Sequence, residues 1–187
     1  EMFQTSTLAD LAERIAALSD GGEQAAFESI PQAPRDGELL LSLTQESLWF
    51  LDQLERDQST YTVYPTLRMK GELDTAVLER AVNEIFRRHE SIRTRFPEVD
   101  GRPVQIIEPF EYRPLGVVDL TELSDTERDA AVLDWIGQQT QEPIDLQNGP
   151  LIRIKLLKLS GTEHVLVAAA HHVIYDGWSL GIMTREL

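Results

Sequence analysis

Two adjacent histidines, His171 and His172, precede three spacer residues and then Asp176-Gly177. An imidazole exchanges protons near neutrality, because its ordinary pKa lies at about 6.5. A histidine held at the end of a rigid element can therefore accept a proton, orient a nucleophile or steady a developing oxyanion. Side chains that are neighbours at a strand end point in opposite directions, so His171 and His172 cannot both face one substrate. One is expected to face a cleft while the other packs or bonds locally. A buried aspartate needs a charge partner or hydrogen bonds, and the planar fork of an arginine from Arg93-Thr94-Arg95 suits Asp176. Gly177 is expected to supply a positive φ or a close backbone approach before the next helix.

The elements that must position these groups follow from hydrophobic period and capping residues. The segment 165–170, Val-Leu-Val-Ala-Ala-Ala, is apolar on both faces. It is expected to be a central strand, covered on both sides, that runs directly into the histidines. It pairs with a strand over 152–159 through a hairpin at Ser160-Gly161-Thr162. A further half-buried strand is predicted over 63–70, with Pro65 near its start and Gly71 at its end. Another is predicted over 103–107. Ser42 and Gln45 are spaced for a capping box opening a helix to residue 55, with Leu48, Leu51 and Leu54 inward. Asp74 caps a helix whose buried face is Val77, Leu78, Ala81, Val82, Ile85 and Phe86. Ser124 and Glu127 open another, with Val132, Trp135 and Ile136 inward, and Ser179 is placed to cap a last helix to residue 187. This is a mixed α/β pattern.

Residues 1–18 form a separate helical signal: Thr7 as N-cap and a stripe of Leu8, Leu11, Ile15 and Leu18. Residues 19–38 carry Gly21, Gly22, Pro31, Pro34 and Gly37 without sustained periodicity and read as a linker. The main domain is expected over 39–187.

Composition removes several functions. The 187 residues carry 17 basic and 32 acidic side chains, a net charge of −15, which repels phosphate backbones and argues against nucleic-acid binding. With no cysteine there is no disulfide framework and no thiolate chemistry, and no metal site is expected. No apolar run approaches the ~20 residues that cross a bilayer, and the first residues lack a signal-peptide pattern. The expectation is a cytoplasmic protein that engages neither membrane nor nucleic acid.

Three stretches together resemble the condensation domains of nonribosomal peptide synthetases. Residues 171–179, HHVIYDGWS, match the family's His-His-x-x-x-Asp-Gly motif. Residues 88–96, RHESIRTRF, match a form RHExLRTxF, with Ile92 in place of leucine. Residues 42–55, SLTQESLWFLDQLE, match SxAQxRLWFLxxLE, with Thr44 and Ser47 departing from it. Residues 3–18, FQTSTLADLAERIAAL, resemble the last helix of a carrier protein.

The resemblance implies the amino-terminal lobe of a two-lobed, chloramphenicol acetyltransferase-like fold, a mixed sheet with flanking helices. It implies a second lobe and a tunnel between the two. It makes His172 the catalytic residue. His171, Asp176, Gly177 and Arg93 become supporting residues, with Asp176 and Arg93 expected as an ion pair. Trp178 and Ser179 become candidates for the substrate channel. The implied reaction forms an amide between an acyl or peptidyl thioester on an upstream carrier and the amine of an aminoacyl group on a downstream carrier. The implied donor is L-configured, and the synthetase is of peptide or hybrid polyketide type. No cofactor is bound directly; the phosphopantetheine arms of the partner carriers bring the substrates, and the rest of the module is a further partner. Two alternatives keep the fold: an acyltransferase using coenzyme A thioesters, and a non-catalytic lobe that docks carriers.

Overall fold

The computed structural model describes residues 34–55 and 59–187, together with Thr7, Ala9, Asp10, Ala12 and Glu13. The chain divides into two compact units, Glu1–Arg35 and Asp36–Leu187. In the first, Ala9, Asp10, Ala12 and Glu13 are helical, and Asp10 N–H donates to Thr7 Oγ1 at 3.1 Å, a helix-capping contact. The leucine–isoleucine stripe expected around it lies outside the described residues.

The second unit is built on a five-stranded mixed sheet. Helix α1 (Leu43–Leu54) leads into β1 (Thr62–Val63) and β2 (Thr66–Lys70). Helix α2 (Thr75–Arg88) and a short 3₁₀ turn (Glu90–Arg93) follow, then β3 (Thr94–Arg95), β4 (Glu98–Val99), β5 (Arg102–Pro103) and β6 (Ile106–Ile107). Next come β7 (Gly116–Asp119), α3 (Asp125–Thr140), β8 (Ile152–Lys158), β9 (Glu163–His171) and α4 (Gly177–Glu186). The main sheet has the order β1-β9-β8-β7, with β2 continuing beside β9 after β1. The β8–β9 hairpin is antiparallel, whereas β7 runs parallel to β8.

The double-sided apolar character of β9 explains its place. Leu156 on β8 and Ala168 and Ala170 on β9 face α2, where Leu78, Val82, Ile85 and Phe86 close the layer. Leu157, Val165, Val167 and Ala169 face the other way and meet Trp135 of α3. Each fully buried leucine or valine contributes about 1.5–3 kcal/mol. A third cluster forms where Leu41, Phe96, Ile144, Leu146, Leu151 and Val173 pack with Leu48 and Trp49 of α1. Through Val173 it takes in the turn that follows β9.

Local chemistry sets the ends and breaks. The Ser42–Gln45 box is formed in both directions, at 2.9 and 3.2 Å. Asp74 Oδ1 accepts from the N–H groups of Ala76 and Val77, and the Glu127 carboxylate accepts from Ser124. Pro65 has no N–H to give, so the strand predicted over 63–70 is two pieces flanking Tyr64-Pro65; the Pro65 carbonyl still accepts from Ala168 N–H at 3.0 Å. Gly71 takes φ 117°, a left-handed turn suited to glycine, and its N–H donates to the Thr162 carbonyl of the facing hairpin loop.

Four expectations are corrected. The strand predicted over 103–107 is divided between two small two-stranded sheets, β4–β5 and β3–β6. Leu54 stays 66% exposed, because α1 rests one flank on the third cluster and no described residue covers the other. Val77, in the first turn of α2, is half exposed, as the core contacts of that helix fall on Leu78, Val82, Ile85 and Phe86. The last helix starts earlier than expected, capped by Asp176 rather than Ser179. No helix among the described residues is long and apolar enough to cross a membrane.

Two histidines of β9 are buried, His164 and His171. Burial, and then the charge of Lys158, hold the His164 imidazole below its ordinary pKa, and Nδ1 has no hydrogen-bond partner among the described residues. A group whose folded-state pKa is depressed in this way prefers to be neutral when folded. Its contribution is complete above the unfolded value of about 6.5 and is lost as pH falls through that value. Urea unfolding between pH 7.5 and 5 should therefore show a steeper loss of stability for wild type than for His164→Gln. Parallel pH profiles would contradict this account of His164.

Candidate functional site

The site is assembled where β9 ends. His171 is the last strand residue; its N–H donates to Leu151 O at 3.0 Å, and its own carbonyl accepts from Ile174 N–H at 3.1 Å, closing a turn. Strand alternation turns the His171 ring inward, where it is 3% exposed, and leaves His172 exposed to solvent. The backbone of His172 is nevertheless fixed, since its N–H donates to Tyr61 O at 2.8 Å just before β1. The catalytic candidate is thus an exposed ring on an anchored backbone.

The His171 ring is tied in by three neighbours. Its Nδ1 accepts from Val173 N–H at 3.1 Å, its Nε2 lies 3.7 Å from Asp52 Oδ1 on α1, and the Tyr61 ring tilts against it with centroids 6.4 Å apart. Burial, with a smaller push from the His172 charge, lowers its pKa to about 4, so the ring is neutral at neutral pH. A neutral ring whose Nδ1 accepts a hydrogen bond carries its own hydrogen on Nε2, toward Asp52.

Asp176 and Arg93 stand apart, which corrects the expected ion pair. Asp176 is exposed and caps α4, its Oδ1 accepting from Ser179 N–H at 2.8 Å and from the Ser179 hydroxyl at 2.7 Å. These hydrogen bonds hold its pKa below the usual carboxylate value. The Arg93 guanidinium donates to three backbone carbonyls: Phe86 at 3.0 Å, Arg87 at 3.3 Å, and Glu108. The physical reason is local. The last carbonyls of α2 have no N–H partners within the helix, and Arg93 doubles back through the 3₁₀ turn to satisfy them. Asp176 meanwhile finds the free N–H groups of the helix it opens. Arg95 pairs with Glu108.

Gly177 is not in the left-handed region, and a Cβ there would meet nothing within 4 Å. Neither of the two reasons expected for glycine applies among the described residues. Its position is the first turn of α4, where a backbone N–H has no acceptor within the helix. Trp178 is 80% exposed, while the Ser179 hydroxyl is engaged by Asp176.

Several contacts that brace the surrounding elements were not foreseen from the sequence. His89 Nε2 lies 2.6 Å from Glu186 Oε2, and Arg88 adds a 3.5 Å contact to the same carboxylate, so the end of α2 is tied to the end of α4. His89 sits inside the 88–96 motif, whereas its partner Glu186 lies in none of the three motif stretches. Trp49 Nε1–H donates to Phe96 O at 3.1 Å, and Gln45 Nε2–H to Val173 O at 3.5 Å, linking α1 to the turn after β9. Those two residues lie in the 42–55 motif.

Comparison with known proteins identifies the family. The family described as "Condensation domain" matches residues 35–187. One linear gramicidin synthase protein of Brevibacillus parabrevis is 42% identical over 189 residues, covering 100% of this chain and 4% of that protein. Phosphinothricin tripeptide synthetase PhsB of Streptomyces viridochromogenes is 38% identical over 100% of this chain and 16% of its own length. The chain therefore spans a small part of each of these relatives. Among solved structures, the starter condensation domain of rhizomide synthetase RzmA superposes with a TM-score of 0.73 at 26% identity, over 80% of this chain and 37% of that one. The first condensation domain of the calcium-dependent antibiotic synthetase gives 0.73 at 24% identity, over 82% and 38%, and so speaks for the fold. With this mixed α/β fold and a motif histidine presented at the end of its central strand, the chain belongs to the condensation-domain family of nonribosomal peptide synthetases.

Proposed function

We propose that this chain contributes the amino-terminal lobe of a condensation domain that forms an amide by thioester aminolysis inside a cytoplasmic peptide synthetase. The observation that carries the reading is the pairing of an exposed His172 ring with an anchored His172 backbone, directly beyond the most buried strand. The upstream carrier's phosphopantetheine arm presents the acyl thioester, and the downstream carrier's arm presents the amine. The amine nitrogen attacks the carbonyl carbon. The C–N bond forms as the C–S bond breaks, the sulfur departs on the upstream arm, and the nitrogen loses one proton.

Thioester aminolysis is favourable, so the protein's task is to hold two tethered reactants together, which is worth up to ~7–11 kcal/mol in ideal cases. His172 orients the attacking amine and takes up its proton for delivery to the departing sulfur. The Gly177 N–H, in the first turn of α4, supplies a donor for the carbonyl oxygen as it gains charge. Trp178, exposed in the same turn, borders the channel. The carrier–linker–condensation order rests on the resemblance of residues 3–18 to the last helix of a carrier protein, and the condensation-domain match begins at residue 35. The donor is taken as L-configured, on the resemblance of the 48–55 and 176–187 stretches to that subclass.

Three outcomes test this reading. In a complete condensation domain containing this sequence, with both carriers loaded, His172→Ala should lower the single-turnover rate by about 10²–10⁴-fold. A rate near wild type would remove His172 from the chemistry. Residues 1–187 alone, given the same loaded carriers, should form no amide, because one face of the reaction channel would be missing; detectable product would contradict the two-lobe requirement. Asp176→Asn should leave the unfolding midpoint almost unchanged, since asparagine caps helices about as well, whereas Asp176→Ala should cost about 0.5–2 kcal/mol. A large loss from Asp176→Asn would restore the ion-pair explanation.

A further inference from the structure

Gln45 and Asp52 are seven residues apart on α1 and so project from the same side of the helix, two turns apart. Gln45 meets the turn after β9 at the Val173 carbonyl, and Asp52 meets it at the His171 ring, 3.7 Å from Nε2. The two contacts therefore grip the residues on either side of His172. Between them, Leu48 and Trp49 pack into the cluster that contains Val173.

We infer that Asp52 is a positioning residue: it fixes the ring proton of His171 on Nε2, and through that tautomer holds the turn that presents His172. The inference rests on the catalytic reading of His172. The His171 Nδ1 accepts from Val173 N–H, and that hydrogen bond exists only while Nδ1 is unprotonated. In the other tautomer two N–H groups would face each other at Val173, and the bare Nε2 lone pair would face the Asp52 carboxylate. Both effects disfavour it. The 3.7 Å separation is too long for a strong hydrogen bond, so Asp52 acts by its field. Solvent screens that field only weakly, because the side chains of His171 and Asp52 are 3% and 16% exposed. The Tyr61 ring closes another side of the imidazole, and the Tyr61 carbonyl holds the His172 N–H. Asp52 thus reaches the catalytic candidate in two steps, by way of His171 and Val173, without touching substrate.

The test uses a complete condensation domain containing this sequence, with loaded carriers for kinetics and ¹⁵N-labelled histidine for NMR of the resting protein. Asp52→Asn removes the charge and leaves only a carbonyl dipole toward Nε2–H, so it should shift the His171 tautomer balance and lower kcat in the same direction as Asp52→Leu, by a smaller factor. Asp52→Leu should lower kcat on the order of 10- to 100-fold with little change in KM for either carrier, and should show a mixture of His171 tautomers. An Asp52→Leu protein with the wild-type tautomer, or with wild-type kcat, overturns the positioning role. A His172→Ala protein at full rate overturns the catalytic reading instead, and with it the link from Asp52 to rate, so the two failures are told apart.

Discussion

The two-residue alternation of β9 is the constraint on which the rest of the site depends. A strand paired on both edges and packed on both faces cannot slip by one residue without turning all its buried side chains over. The layer formed by Leu166, Ala168 and Ala170 and the opposite layer formed by Val165, Val167 and Ala169 together lock the register with β8 and β1–β2. That lock continues to the strand's last residue and dictates that His171 goes in and His172 goes out. Rotating the ladder one position would bury His172 and expose its neighbour. The difference between a packed histidine and an exposed one is therefore set by packing some distance away.

Helix ends hold the loop. Asp176 satisfies the first turn of α4, Arg93 the last turn of α2, and Glu186 draws the ends of these two helices together through His89 and Arg88. Each contact answers a backbone group or charge left over by helix geometry. They also explain why the arginines of the 88–96 motif and Asp176 of the 171–179 motif do not form one buried ion pair. The groups serve neighbouring helix termini and act in parallel.

Apolar side chains are left uncovered on α1, just before it, and at the start of α4. Leu40, Leu43, Phe50, Leu54 and Trp178 are all more than half exposed. In the proposed arrangement a second lobe and two carrier arms complete the channel, and the exposed imidazole becomes enclosed only then. Enclosure matters chemically, since a hydrogen bond or a partial charge acts more strongly where water is excluded.

Much of this was legible in the amino-acid order alone. Hydrophobic period marked the central hairpin, capping residues placed the starts of α1, α2 and α3 to the residue, and the spacing of the two histidines before Asp176-Gly177 singled out the turn that carries the candidate site. Those features are local, because a cap or a strand period depends on residues within one or two turns. The partners of Arg93, Asp176 and His171 were not legible. Any of several carboxylates could have met Arg93 in the sequence, and only the folded chain places the unsatisfied carbonyls of α2 beside it. Likewise nothing in the order of residues connects Asp52 with His171, 119 positions later. That contact exists because α1 packs across the end of β9, a matter of tertiary geometry.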